Sequence, residues 1–322
     1  MDHLDDDFYG AAVQRVVSAG HCQVYRMHNE TGEGRITRYA VFPGIDLSYN
    51  DFHMADGFNE NKRPRENVLE INHCKEGRFE CELKNGDCTY LGAGDLSVTM
   101  LSTQSVATSF PLAHFHGISI TIDISVAVET MQRLSQALGG VSIDIEKIRK
   151  NLCSAQPCIV LRGLPSVEHI FSELYTVPRE YRQGYFRIKI LELLMFLSSV
   201  KASDFQEERS YFYHSQVKAV KEIRRYMVEH IKEHPTLEEL SARFGIPLTS
   251  MKNCFKGVYG ASVYAYMKDY RIQTAAFLLR DTPDSVTEIA NQVGYENPSK
   301  FAGVFRKKMG VTPSAYRKSL SI

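Results

Sequence analysis

Polar and apolar positions along this chain follow two different periods. From His21 to Asp123 the period is short. HCQVYRMHNETGEGRITRYAVFPG reads as two strands joined at a glycine-rich turn. VLEINHCKEGRFECELKNGDCTYLGAGDLSVTM contains several more. Asn85-Gly86 is a hairpin signal, and Gly92, Gly94 and Asp95 mark another turn. Phe115, Ile118, Ile120 and Ile122 alternate along the last strand of the series. Many short strands with regular turns predict a small double-sheet barrel. Residues up to about Ala19 predict a short helix or an arm.

After Ile124 the period becomes helical. VETMQRLSQALGG, IEKIRKNL, PSVEHIFSELYTVP and GYFRIKILELLMFLSSV predict four helices, the first stopped by Gly139-Gly140. The fourth is the most apolar. Its Ile188, Ile190, Leu191, Leu193, Leu194, Met195 and Leu197 cover more than one face. Such a helix is either buried on several sides or turns one face to a second subunit. Residues 202–214, ASDFQEERSYFYH, read as a linker. A new amphipathic helix follows, with Val217, Val220, Ile223, Met227 and Ile231 on one side.

Between Thr236 and Arg317 one pattern occurs twice, as TLEELSARFGIPLTSMKNCFKGVYG and as SVTEIANQVGYENPSKFAGVFRKKMG. Each copy reads as a short amphipathic helix, a tight turn at a glycine, and a second helix, which is a helix-turn-helix. In the first copy, Thr236 and Glu239 have capping-box spacing, so a helix starts at Leu237. Leu237, Leu240 and Phe244 form its stripe, Gly245 ends it, and Ile246 plugs the turn. The helix Leu248–Tyr259 then buries Met251, Cys254, Phe255 and Val258. It leaves Thr249, Ser250, Lys252, Asn253 and Lys256 outside. In the second copy Ile289, Ala290 and Val293 face inward and Gly294 makes the turn. Asn297 suits the N-cap and Pro298 the first helical position. The helix Pro298–Met309 buries Phe301, Val304, Phe305 and Met309, and leaves Ser299, Lys300, Gly303, Arg306 and Lys307 outside. Such a face brings a helix N-terminus to base edges while Lys and Arg meet phosphates. One such pattern occurs by chance in many helical cores. Two, joined by one long helix and both basic outside, point to DNA.

The stretch RIQTAAFLLRDTPDSVTEIANQVGYENPSKFAGVFRKKMGVTPSAYRK closely resembles the signature of the AraC/XylS family of transcription regulators. The matching landmarks are Arg271, Ala275, Leu278, Ile289, Ala290, Gly294, Phe301, Phe305, Gly310, Pro313 and Tyr316. The resemblance is specific over roughly the last hundred residues. There is one departure: the family usually has a Ser-like cap before the first recognition helix, and this chain has Pro247. The segment Glu70–Val98 resembles the cupin-like sensor domain common at the N-terminus of the family. Phe42–His53 resembles a segment seen in some members. The resemblance implies a cupin-like β-barrel (jelly roll) ligand-sensing domain over 1–123 and a helical dimerisation segment over 124–203. A linker over 204–214 and an all-α domain with two helix-turn-helix motifs over 215–322 follow. The implied partners are double-stranded operator DNA, a small-molecule effector, a second copy of the chain, and RNA polymerase.

Charge sharpens this division. The chain has 38 Lys plus Arg and 38 Asp plus Glu, a net charge of zero. From Ser215 onward 17 are basic and 10 acidic, a net +7, so the rest carries −7. That asymmetry assigns polyanion binding to the C-terminal third. The seven cysteines (22, 74, 81, 88, 153, 158, 254) form no CxxC pair and are odd in number, which argues against a disulfide framework or a structural zinc site. No apolar run is long enough to span a bilayer, and the acidic start MDHLDDDFYG lacks the parts of a signal peptide, so a cytoplasmic protein is expected.

Candidate chemistry is sparse. His73, Glu80, His114 and His116 form the one set resembling a metal cluster. A cupin enzyme usually places two His one residue apart, then a Glu, early in the barrel. Here Asn72-His73-Cys74 lacks the pair, and His114 and His116 come late. His73, His114 and His116 are therefore read as candidate lining of an effector pocket, with no metal, no cofactor and no catalytic residue. Two other readings stand beside the effector-controlled regulator: a cupin-type metalloenzyme fused to a DNA-binding domain, and a ligand-independent regulator. A DNA-repair methyltransferase with an AraC-like module is excluded, because it needs a cysteine-rich N-terminal zinc segment and this chain has only Cys22 there.

Overall fold

A computed structural model describes residues 13–57, 65–84, 86, 88–101, 105–141, 143–154, 158–201 and 211–319. The chain forms two compact units, Met1–Phe212 and Tyr213–Ile322.

The first unit holds two antiparallel sheets. The larger contains β1 (Val13–Ala19), β2 (Cys22–Asn29), β3 (Gly32–Phe42), β4 (Ile45–His53), β5 (Val68–Gly77), β8 (Leu96–Met100), β10 (Phe115–Asp123) and β11 (Cys158–Leu161). Their order is β1-β2-β3-β4-β10-β5-β8-β11. The smaller contains β6 (Phe79–Leu83), β7 (Cys88–Leu91), β9 (Ser105–Ser109) and β12 (Tyr211–Phe212), in the order β12-β7-β6-β9. Strand β10 sits at the centre of the larger sheet. Ile118, Ile120 and Ile122 stand beside Tyr49, Leu47 and Ile45 of β4 and beside His73, Ile71 and Leu69 of β5. Because side chains alternate along a strand, these residues share one face. Helices α1 (Ile124–Ala137), α2 (Ile145–Cys153), α3 (Pro165–Thr176) and α4 (Arg182–Ser199) pack on it and complete one apolar core.

The opposite face of the larger sheet turns towards the smaller sheet. At one end Phe52 and Phe115 pack with Phe79, Leu91 and Phe110. Further along it is polar. Ser119 donates to Asn72 at 2.5 Å and accepts from Asn50 at 2.6 Å, and Arg38 pairs with Asp46 at 2.9 Å while only 3% exposed. Buried polar groups persist where such bonds satisfy them.

Several expectations change here. Val13–Ala19 is a strand, not a helix or arm, and pairs with β2. Residues 1–12 lie outside the described residues. The segment 124–203 is not wholly helical: Cys158–Leu161 pairs with β8 as a fully buried edge addition. Four apolar residues are too few to show a period, so only the partner strand reveals them. Of the expected linker, 204–210 lie outside the described residues, Tyr211–Phe212 pairs with β7, and His214 opens a helix. Of the Asn85-Gly86 turn, Asn85 lies outside the described residues and Gly86 has φ +83°.

The second unit is helical: α5 (His214–Glu229), α6 (Leu237–Arg243), α7 (Leu248–Tyr259), α8 (Val263–Asp281), α9 (Val286–Gln292), α10 (Pro298–Met309) and α11 (Pro313–Ser319). Thr236 and Glu239 make both bonds of the capping box that starts α6. Ser285 and Glu288 do the same for α9. Gly260 and Gly310, both left-handed, close α7 and α10.

Candidate nucleic-acid interface

The outer faces of α7 and α10 follow from what each helix buries. On α7, Met251, Cys254, Phe255, Val258 and Tyr259 turn inward. That leaves Thr249, Lys252, Asn253 and Lys256 exposed and Ser250 half-buried. On α10, Phe301 and Phe305 are fully buried, and Ser299, Lys300, Gly303, Arg306 and Lys307 are exposed. All ten residues singled out from sequence thus lie off the core, and each helix contributes half. An added Cβ at Gly303 would meet no atom within 4 Å, so the surface there is open.

The helix starts differ. Asn297 caps α10 with its side-chain oxygen, accepting from the backbone N–H of Ser299 at 2.9 Å and of Lys300 at 3.1 Å. Pro247 occupies the corresponding place before α7 and supplies no side-chain cap, yet α7 still runs from Leu248 to Tyr259. The basic residues at the end of α10 offset its negative dipole end while remaining exposed. Lys308 is engaged at 2.6 Å with Asp269 of α8 in an exposed ion pair.

Arg271, known from sequence only as a landmark, is the joint of this unit. From α8 it donates Nε to the Ile231 carbonyl at 3.0 Å and Nη2 to the Glu233 carbonyl at 2.7 Å. Its Nη1 bonds Nδ1 of His234 at 2.9 Å. A guanidinium only donates, so Nδ1 of His234 is the acceptor and Nε2 carries the proton. That Nε2 reaches the Gly294 carbonyl at 2.8 Å. The loop after α5 is therefore clamped between α8 and the turn of α9 and α10. No sequence period could show this, because the partners lie 37 to 60 positions apart.

The histidines proposed as effector lining are divided. His73 is 5% exposed, stacks on Phe171 at 4.1 Å and bonds the Tyr175 hydroxyl through Nδ1 at 3.1 Å. Burial pushes its imidazole down to about 4, so it is neutral near pH 7. His116 meets the edge of the same Tyr175 ring at 5.7 Å, and burial also lowers its pKa. His114 instead lies against His53, with Glu76 at 3.8 Å. Glu80 sits in the smaller sheet, paired in register with Tyr90 and Ser109. Among the described residues, no group of three or more His, Cys, Asp or Glu is placed to hold a metal ion. No helix among them is long and apolar enough to cross a membrane.

Residues 240–319 match a family model described as a helix-turn-helix domain. The chain is 33% identical over 99 residues to the HTH-type transcriptional regulator ExsA of Pseudomonas aeruginosa, covering 31% of this chain and 36% of that protein. It is 25% identical over 179 residues to the virulence regulon transcriptional activator VirF of Yersinia enterocolitica, covering 54% and 64%. The matched part spans only about a third of the length of the first of these relatives. A solved structure, the DNA-binding domain of the global transcriptional factor AdpA in complex with a target DNA, is 28% identical with a TM-score of 0.30, covering 31% of this chain and 91% of that one. These relatives are named as transcription regulators. Residues 240–319 of the C-terminal unit are thus similar to the helix-turn-helix domains of transcription regulators.

Proposed function

We propose that this chain is a sequence-specific transcription regulator in which two helix-turn-helix motifs, α6–α7 and α9–α10, read one operator together. The observation that carries this reading is the pair of exposed, partly basic faces on α7 and α10, joined through one helix. Helix α8 has 19 residues, so at ~1.5 Å each it spans ~28 Å. Successive major grooves on one side of DNA lie ~34 Å apart, so both helices enter grooves on one face. Asn253 and Lys300 are the base readers, Asn for adenine and Lys for guanine. Thr249, Ser250, Ser299 and Gly303 shape the approach, and Lys252, Lys256, Arg306 and Lys307 hold phosphates. Asn253→Ala and Lys300→Ala should relax preference at two positions about one turn apart, each by roughly 1–3 kcal/mol. Arg306→Ala should weaken all sequences alike and reduce the log–log salt slope by about 0.9. Footprinting that protects a single groove, with Asn253→Ala silent, would break the two-groove model and spare the DNA-binding assignment.

The N-terminal unit, over residues 1–123 in the cupin-like reading, receives a small-molecule effector, and 124–203 supplies a homodimer contact. Support for the dimer is the outer face of α4: Ile188 is 61% and Met195 47% exposed on a helix whose other apolar residues are buried or half-buried. A charge at Ile188 should shift the mass measured at micromolar concentration from dimer to monomer. RNA polymerase is the further partner. A ligand-independent regulator is the competing reading, and it predicts that no small molecule raises the unfolding midpoint.

A further inference from the structure

The N-terminal unit has an open cleft of about 600 Å³ between the β1–β3 end of the larger sheet and the start of α4. Its walls combine three arginines, Arg35, Arg179 and Arg182, with the rings of Tyr39, Tyr49 and Phe186. None of the described residues lining it is acidic, and none of these arginines is in an ion pair among the described residues. Neither His73, His114 nor His116 lines it, so it is separate from the pocket read from sequence.

Arg182 is the unusual member. Its Nη1 donates to the Tyr39 hydroxyl at 3.1 Å, and its guanidinium lies 6.0 Å from the centre of the Tyr49 ring. Its Nε is buried and has no hydrogen-bond partner among the described residues. Its Nη2 bonds nothing among the described residues and is not buried. So the tyrosine fixes one corner of the guanidinium and leaves the Nε–Nη2 edge unpaired among the described residues, with Nη2 accessible and Nε just beneath it. That edge carries two parallel N–H groups, the geometry that takes two oxygens of one carboxylate or phosphate. A buried N–H with no acceptor is costly to leave unmade, and an oxyanion on this edge supplies the acceptor. Beside it, Tyr39 and Tyr49 meet edge to face at 6.0 Å, and Tyr39 and Phe186 at 5.2 Å, which makes a preformed apolar wall.

We propose that this cleft is a binding site for a small organic anion with a flat apolar body, its oxyanion on the Nε–Nη2 edge of Arg182 and its body against Tyr39, Tyr49 and Phe186. Arg35 and Arg179, both exposed, add a positive field at the mouth.

The test uses the full chain without DNA, so its failure leaves the operator reading standing. Benzoate, phenylphosphate and neutral benzamide are titrated by calorimetry, with the unfolding midpoint followed in parallel. Benzoate or phenylphosphate should bind and raise the midpoint, and benzamide should bind at least about tenfold more weakly. The stronger of the two anions names the oxyanion. Arg182→Gln should weaken that anion by about tenfold or more, and Arg182→Lys, which keeps the charge and loses the fork, should not restore it. Thr37→Phe, which fills the cleft from a lining position and leaves Arg182 intact, should also abolish binding. Absence of binding by either anion overturns the proposal. So does binding unchanged in both Arg182→Lys and Thr37→Phe, or equal binding of benzamide.

Discussion

Helices α7 and α10 have the same length, 12 residues, and their positions correspond at an offset of fifty, yet they are held in different ways. At corresponding places Met251 matches Phe301, Phe255 matches Phe305, and Gly260 matches Gly310. Elsewhere the first helix buries what the second exposes: Val258 is fully buried, whereas its counterpart Lys308 reaches out to Asp269. Five residues of α7 are buried but only two of α10. The second helix makes up the difference at its start. It has the Asn297 cap, and its preceding turn is clamped through His234 to Arg271. The first has Pro247 and a turn at Gly245 around which an added Cβ would meet nothing. One half is thus fixed by side-chain burial along its length, the other by hydrogen bonds at its beginning.

The sharpest way to break this comparison is Arg271→Met. It removes three hydrogen bonds from a residue 8% exposed and leaves the Ile231 and Glu233 carbonyls without it. We expect a loss of about 3 kcal/mol in denaturant unfolding of the full chain. An unchanged midpoint would mean that the clamp is not what holds the second half.

Next in size are the two turn glycines. Both have positive φ, +62° at Gly245 and +85° at Gly294. Alanine at either pays the left-handed cost of about 1–2 kcal/mol. At Gly294 the new Cβ would also stand 2.9 Å from the Ile231 carbonyl oxygen. Gly294→Ala should therefore cost about 1 kcal/mol more than Gly245→Ala in the same unfolding measurement. Equal costs would show that the second turn is no more constrained than the first.

The helix starts come third. Asn297→Ala removes an acceptor for two backbone N–H groups and should cost about 1 kcal/mol. Pro247→Ser introduces a cap of similar worth but loses the stiffness of proline, about 0.4–1 kcal/mol, so the two effects nearly cancel. A large gain from Pro247→Ser would reveal a first helix limited by its missing cap.

The smallest effect has the opposite sign. Gly303 corresponds to Asn253 and lies on the exposed face of α10 with room for a methyl group. Gly303→Ala should stabilise the fold by up to about 1 kcal/mol through helix propensity. Gel-shift titration should nevertheless show weaker operator binding, because the added methyl group would intrude on the face proposed to meet DNA. Stabilisation without weaker binding would remove Gly303 from the interface.

Helices α6, α7, α9 and α10 were legible in the sequence because what defines them is local, whereas α11 was not read and α5 ends at Glu229, short of the Ile231 expected on its stripe. A capping box spans three positions, an apolar stripe repeats every three or four, and a left-handed glycine marks its own turn. The bounds of α7 and α10 were read directly, as were their ten outward residues. Long-range arrangement was not legible. Val13–Ala19 and Cys158–Leu161 become strands because β2 and β8 offer them edges, and pairing with a distant strand leaves no period in four to seven residues. His114 and His116 share a sequence spacing, but His116 turns to the Tyr175 ring and His114 to His53. Arg271 stood out as a signature residue, but its role depends on carbonyls nearly forty positions away. The unpaired edge of Arg182 is set by tertiary contacts: Tyr39, 143 positions earlier, takes the other corner of the guanidinium. Periodicity and caps report what a segment must do with its own backbone and apolar side chains. Which polar group meets which is fixed only when the sheets and helices close on one another.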